Sequence, residues 1–346
     1  MAIDWKDIHS RKVRDAFRVA LADKELTHEE VVDVIKELLS DGELDGMEVN
    51  DLQKVAKGSA TMPVRSKNML LYLGQQAFMH KARGPIGIYT DRQKFAAKQL
   101  FDFLKRTGAS RFPMLDRDQV GIDLLYRVAN PNVINQGPAT ICGPVGFLYG
   151  VAFDTPANYA QFGIDLFERG KAKLGRYKVT PGHDCRHYLP PFPITHGEWL
   201  TGASLRDSAN SFFDYDTVLR DGGTKFSEVV RWMKGAGYSD IQASDGRKQS
   251  RNTSEFTLIN GLYSRGYRII LLIHSMLLNP AKQADKSSAG NHYVVLRSPI
   301  EVIGNQVKVA VYTWGTGQWI IPGPNTSMSP VGFAQHWYGY IAGKPF

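Results

Sequence analysis

From residue 27 onward the chain repeats one pattern. THEEVVDVIKELLS, GMEVNDLQKVAKG, RSKNMLLYLGQQAFMHKA and DRQKFAAKQLFDFLKRTG each place apolar residues three and four apart, the spacing that gives a helix one buried stripe. Thr27 stands where an N-cap belongs, and Glu29 and Glu30 follow it in the first turn, where negative charge suits the helix end. Residues 1–110 therefore read as a helical region. TGASRFPMLDRDQV, at 107–120, reads as a linker or domain edge. Helical spacing returns at 142–151, 156–172, 225–236 and 252–264. The last third changes period: YRIILLIHS, NHYVVLRSP, NQVKVAVYTWG and GQWIIP are strand-like runs. Ile303-Gly304-Asn305 predicts a hairpin turn between the second and third of these. Helices first and an antiparallel sheet afterwards predict an α+β chain, divided into a helical N-terminal region, 1–110, and a second domain, 111–346.

Charge sharpens that division. The net charge is +8 over 346 residues, but residues 1–60 carry nine Lys/Arg against 14 Asp/Glu, and the remainder 33 against 20. A basic body suits anionic surroundings such as envelope polymers, lipid headgroups or acidic proteins. No RNP-type motif, zinc-finger spacing or dense Arg/Lys tract points to nucleic acid. No apolar run approaches the roughly 18 residues of a membrane span. The opening MAIDWKDIHSRKVRDAF has no apolar core of a Sec-type signal peptide.

Two clusters resemble metal sites and fall short. Asp41, Glu43 and Asp45 in SDGELDG invite a calcium-loop reading, but the closing bidentate Glu is replaced by Leu52. An acidic turn between helices is the expectation. In PGHDCRHYLPPFP, extended backbone would point His183, Cys185 and His187 the same way and begin a zinc site. A fourth ligand is missing and the segment is rich in proline, so no metal is expected there.

The chemistry concentrates at 135-NQGPATICGPVGFLYG-150. Pro144 is tolerated only in the first turn of a helix, which places the helix start within about two residues of Cys142. Free N–H groups there favour a thiolate and lower a thiol's pKa. Val145, Phe147, Leu148 and Val151 supply the buried stripe. Gln136, six residues earlier, can be folded back by Gly137 and Pro138 so that its amide donates to an oxyanion. The nucleophile needs a base on another element. His9, His28 and His80 read as surface positions, His274 as a strand-end core residue, and His336 as part of a late helical stretch beside Trp337 and Tyr338. His292 is best placed: it opens the strand YVVL after the small, polar loop KSSAGN.

NQGPATIC resembles the segment around the nucleophile of papain-like cysteine proteases, including the Gln six residues before the Cys. NHYVVL is similar to that family's histidine strand, and YTWGTGQW resembles its Asn-Ser-Trp-Gly-Thr-Gly segment. The likeness covers roughly the last 215 residues and is close only in these windows. It implies a papain-like domain in which Cys142 is nucleophile, His292 base and acid, Gln136 oxyanion donor and Trp314 a shield over the pair. Two departures stand out. Gly143-Pro144 follows the cysteine, as in C39-like and bacterial effector-type relatives. The Asn that orients the histidine is replaced by Tyr312, followed by Thr313; only one of the two can face the imidazole.

These readings predict a cysteine peptidase or amidase acting on a protein or cell-wall peptide through a thioacyl intermediate, without cofactor or metal. The effector-type likeness and the missing Sec signal add the expectation of a bacterial toxin, made in the cytoplasm, exported by a dedicated secretion system, and met by a cognate inhibitor or immunity protein. Deamidation or acyl transfer would use the same dyad. The lost Asn also allows a non-catalytic binding module that keeps the fold.

Overall fold

The computed structural model describes residues 3–22, 25–80, 85–137, 139–209, 223–245, 252–278, 292–315, 319–321 and 328–345. The fold is α+β, with helices dominating the first two thirds and an antiparallel sheet the last. Helices α1 (Arg11–Ala20), α2 (His28–Leu38), α3 (Gly46–Gly58), α4 (Val64–Met79) and α5 (Asp91–Lys105) build the N-terminal region. Thr27 caps α2 as expected, accepting from the Glu30 N–H while the Glu30 carboxylate accepts from the Thr27 N–H at 2.7 Å. A two-residue ladder joins β1 (Glu43–Leu44) to β2 (Ile86–Gly87).

The acidic turn is filled from within the chain. The Lys12 ammonium, carried by α1, donates to the Leu38 carbonyl and lies 2.8 Å from Asp41 and 3.7 Å from Glu48. Asp45 is spent on capping α3. Lys12 thus supplies the positive charge that this loop gathers. Two histidines read as surface are buried instead. His28 binds Ser66 at 3.0 Å and the Leu104 carbonyl at 3.1 Å, and His80 packs against the Tyr126 ring. His28 lies at the buried start of α2, where a hydrogen-bonded imidazole is tolerated, and His80 caps the end of α4.

The expected linker is shorter than 107–120, because α6 (Arg117–Ala129) begins within it. Almost every residue of α6 is buried, including Asp118, Asp123 and Arg127. A helix buried all round shows no amphipathic stripe, which hid it in the sequence. Asp123 and Arg127 belong to a buried polar network: Tyr72 donates to Asp123 at 2.8 Å, and Arg127 reaches Thr195 at 2.8 Å and Glu198 at 3.0 Å. One continuous apolar cluster includes Val31, Leu70 and Leu100 as well as Leu124, Phe147 and Val295, so the core runs across residue 110.

Helices α7 (Cys142–Asp154) and α8 (Pro156–Arg169) lead to the hairpin β3 (Ala172–Leu174) and β4 (Tyr177–Val179). The main sheet contains β5 (Ser239–Asp245), β6 (Arg268–Ile273), β7 (His292–Leu296), β9 (Gln306–Tyr312), β10 (Trp319–Ile321) and β11 (Trp337–Lys344), in the order β10-β9-β7-β6-β11-β5. The turn at Gly304 joins β8 (Glu301–Ile303) to the start of β9. The 330–338 stretch corrects the helical expectation: a short helix ends at Gln335 and β11 begins at Trp337, between β6 and the edge strand β5. The sheet separates two cores. Tyr293, Val295 and Tyr312 face the α7 side, whereas Val294, Leu296 and Val311 face the helices Glu255–Ser264 and Pro330–Gln335. No described helix is long and apolar enough to cross a membrane.

Candidate active site

Cys142 is the first residue of α7 and Pro144 the third, as Pro144 requires. Every residue from Gly143 to Ala152 is buried. Such a helix is held on all sides, so its first turn has little freedom. Its far end is pinned to the sheet: Arg268 on β6 grips Asp154 at 2.7 and 3.1 Å, and Tyr238 donates to the same carboxylate at 2.7 Å. The thiol of Cys142 is free and half-buried. The N–H of Tyr293, the residue directly after His292, lies close enough to the thiol to favour its thiolate. Helix start and strand mouth therefore meet at the sulfur.

The register of the sheet decides which residue faces the imidazole. Val295 pairs with Tyr312, so Tyr312 points toward α7, where its ring stacks on Tyr149 at 3.8 Å and its hydroxyl donates to the Ile134 carbonyl. Thr313 takes the opposite face, which is also that of His292 and Val294. His292 Nε2 and Thr313 Oγ1 are 2.7 Å apart, and both side chains are buried. Nδ1 makes no hydrogen bond among the described residues. Trp314 covers the imidazole, its ring centroid 5.0 Å away, and is braced edge-on by Trp319. Valine at 313 should lower acyl-transfer turnover about tenfold, the worth of one hydrogen bond near 1.4 kcal/mol, whereas Thr313→Ser should stay near wild type. Steady-state kinetics on 4-nitrophenyl acetate checks this pair.

Trp314 adopts φ +47 and Gly315 φ +62. A left-handed tryptophan is strained by about 1–3 kcal/mol, and such residues gather where geometry matters more than comfort. The turn presses Gly315 onto the 134–137 segment: a Cβ there would lie 2.9 Å from Asn135 Cβ and 3.1 Å from the Ile134 carbonyl. Gly315→Ala is expected to cost about 1–3 kcal/mol in a urea titration. Glu198 holds the same segment from behind, accepting from the Asn135 N–H at 3.1 Å. Gln136 follows directly. Its carbonyl accepts from Ala139, in a turn where Gly137 has φ +54; Pro138 lies outside the described residues. The Gln136 amide is half-buried and makes no hydrogen bond among the described residues.

The structure thus gathers Cys142, His292, Thr313 and Trp314 around the start of β7, with the Gln136 turn anchored beside the Trp314–Gly315 turn. Among the described residues no hydrogen bond joins thiol to imidazole. Their protonation differs from the expectation for a helix N-terminus. Burial pushes the Cys142 thiol up from its ordinary range, outweighing the N–H groups of Tyr293, Gly143 and Cys142 and the more distant Arg206 charge that pull it down. Burial also lowers His292 to about 4. Both groups rest neutral at pH 7, because the low-dielectric setting penalises either ion more than the helix end compensates.

The rival sites do not form. His183–His187 is a short helix, so Cys185 turns inward, fully buried, while the two rings stack at 3.8 Å on the outside. Residues two apart diverge on a helix, and the extended-backbone expectation fails for that reason. Among the described residues no group of three or more His, Cys, Asp or Glu could hold a metal ion. A cavity of about 540 Å³ between α1 and α2 is lined by Lys12, Asp15, Val19 and Glu37 but by no cysteine, serine or histidine. Compared with known proteins, the chain matches no family model, no curated protein and no solved structure.

Sequence reasoning left the histidine's partner open and missed three supporting residues. Glu198 and Arg127 are paired across more than 60 residues of chain. Thr224 packs against Gly143. None carries a local signal.

Proposed function

We propose that the chain is a papain-like cysteine hydrolase that cleaves an amide bond in a protein or peptide through a thioacyl intermediate on Cys142. The observation that carries this reading is the placement of His292. Thr313 occupies Nε2 at 2.7 Å under the Trp314 ring, which leaves Nδ1 for proton transfer, while the thiol lies at the adjacent Tyr293 N–H. Thr313 then does what the Asn of papain-like enzymes does, fixing tautomer and ring plane with a neutral hydroxyl. Cys142 attacks the carbonyl carbon, and His292 takes the thiol proton and returns it to the leaving amine. Water then attacks the thioester with His292 again as base.

Because both groups rest neutral, a proton moves uphill from the thiol to an imidazole near 4. Transfer is therefore concerted with attack, when the developing oxyanion can be stabilised, rather than completed beforehand. Turnover of peptides or of 4-nitrophenyl acetate by the wild type, with neither Cys142→Ala nor His292→Ala active, is the expected result. Hydrolysis that persists in Cys142→Ala would overturn the mechanism.

The neutral, unlinked dyad favours a second reading, a binding module that keeps the fold without the chemistry. It predicts that Cys142 reacts with iodoacetamide no faster than a free cysteine of the same thiolate content, and equally with or without His292.

A further inference from the structure

Thr224 is the unexplained polar group beside the nucleophile. It is 7% exposed, and its Oγ1 is buried with no hydrogen-bond partner. A buried, unsatisfied hydroxyl costs about 1–3 kcal/mol, so an orphan at such a place asks for an account. Its position is fixed from two sides. The Thr224 carbonyl accepts from the Tyr293 hydroxyl at 3.1 Å, and the helix Phe226–Ala236 begins two residues later, with Glu228 capping the Lys225 N–H at 2.7 Å.

The side chain is aimed at the first turn of α7. A Cβ on Gly143 would fall 2.5 Å from Thr224 Cβ, Cγ2 and Oγ1 alike, so only glycine next to Cys142 allows the hydroxyl this close. Around the sulfur stand the N–H groups of Cys142, Gly143 and Tyr293. The Thr224 hydroxyl sits against Gly143, the residue that follows Cys142 in this first turn. An O–H there has one productive use: to donate to an oxygen that arrives with substrate.

Resting on the hydrolase reading, we infer that Thr224 donates a hydrogen bond to the acyl oxygen of the substrate as it becomes an oxyanion, together with the first N–H groups of α7. In this step the Cys142 S–H bond breaks, its proton passing to His292, and a bond forms between Cys142 Sγ and the carbonyl carbon. The carbonyl π pair moves onto oxygen, where the Thr224 O–H meets it, and collapse expels the leaving group to give the thioester. The unpaired hydroxyl is then a group held ready, satisfied only when substrate is bound.

Two probes separate this role from mere packing. 4-Nitrophenyl acetate acylates Cys142 through an oxyanion; dithiodipyridine reports thiol reactivity and forms none. Thr224→Val keeps shape and removes the hydroxyl, and loss of one oxyanion donor is expected to slow acylation about 100-fold, with the dithiodipyridine rate changed less than about twofold. Thr224→Ser should acylate within about threefold of wild type, which excludes a folding defect at this position. Acylation of Thr224→Val at the wild-type rate, or equal losses with both probes, would overturn the inference. If wild-type protein shows no acylation beyond Cys142→Ala, the hydrolase reading itself falls and the inference with it.

Discussion

Cys142→Ala is expected to reduce turnover of an activated acyl substrate by about 10⁴-fold or more while leaving the fold in place. Removal of a nucleophile eliminates the covalent path altogether, so what remains is binding and oxyanion stabilisation acting on a water attack. The structural cost should be small. Cys142 is half-buried, and its neighbours in α7 are held by packing from Gly143 to Ala152 and by the Asp154–Arg268 pair rather than by the thiol. Loss of one sulfur should lower stability by about 1 kcal/mol at most. Turnover and a urea titration on the same preparation separate the two effects. An inactive variant that is also unfolded would say nothing for the nucleophile, and an active folded one would exclude it.

The second large effect belongs to His292. Its replacement by alanine should cost about 10³-fold in turnover, the usual worth of a positioned general base. The pH dependence carries more information than the loss. With an imidazole near 4 and a thiol above its ordinary range, kcat/KM should fall only as pH drops toward 4 and should stay level through neutrality. A preformed thiolate–imidazolium pair would instead show two ionisations on either side of neutrality. The same shift acts on stability. The folded imidazole binds its proton more weakly than the unfolded one, whose value is near 6.5, so the unfolded state takes up the proton first as pH falls. The contribution is present above about pH 6.5 and is lost as pH falls toward 4, by about 3 kcal/mol at most. Urea titrations at pH 7 and pH 4.5 should show a larger drop for wild type than for His292→Gln. Equal drops would mean that His292 is not desolvated as the fold places it.

The sequence made some of this legible because local rules were unopposed. Pro144 located the start of α7, Thr27 located that of α2, and Gly304 located a tight turn. Other parts depended on contacts that no window of sequence contains. Helix α6 is buried on every side, and its charges are satisfied by Tyr72, Thr195 and Glu198 from distant segments. Strand β11 lies between β5 and β6 and carries Gly339 and Gly343 with aromatic neighbours, a composition without strand alternation. The choice between Tyr312 and Thr313 was a question of parity, and only the Val295–Tyr312 pairing could answer it. The depressed thiol pKa failed for a related reason: a helix end is visible in sequence, but the burial that outweighs it is not.

The most direct test is chemical capture of the intermediate. Wild-type protein mixed with 4-nitrophenyl acetate at pH 7, acid-quenched and mapped by peptide mass spectrometry should carry one acetyl group on Cys142. The label should vanish on longer incubation, as water releases the thioester, and should be absent or much slower to form in His292→Ala. An acetyl group found only on lysines, or equal labelling of Cys142 with and without His292, would contradict a cysteine hydrolase at this site.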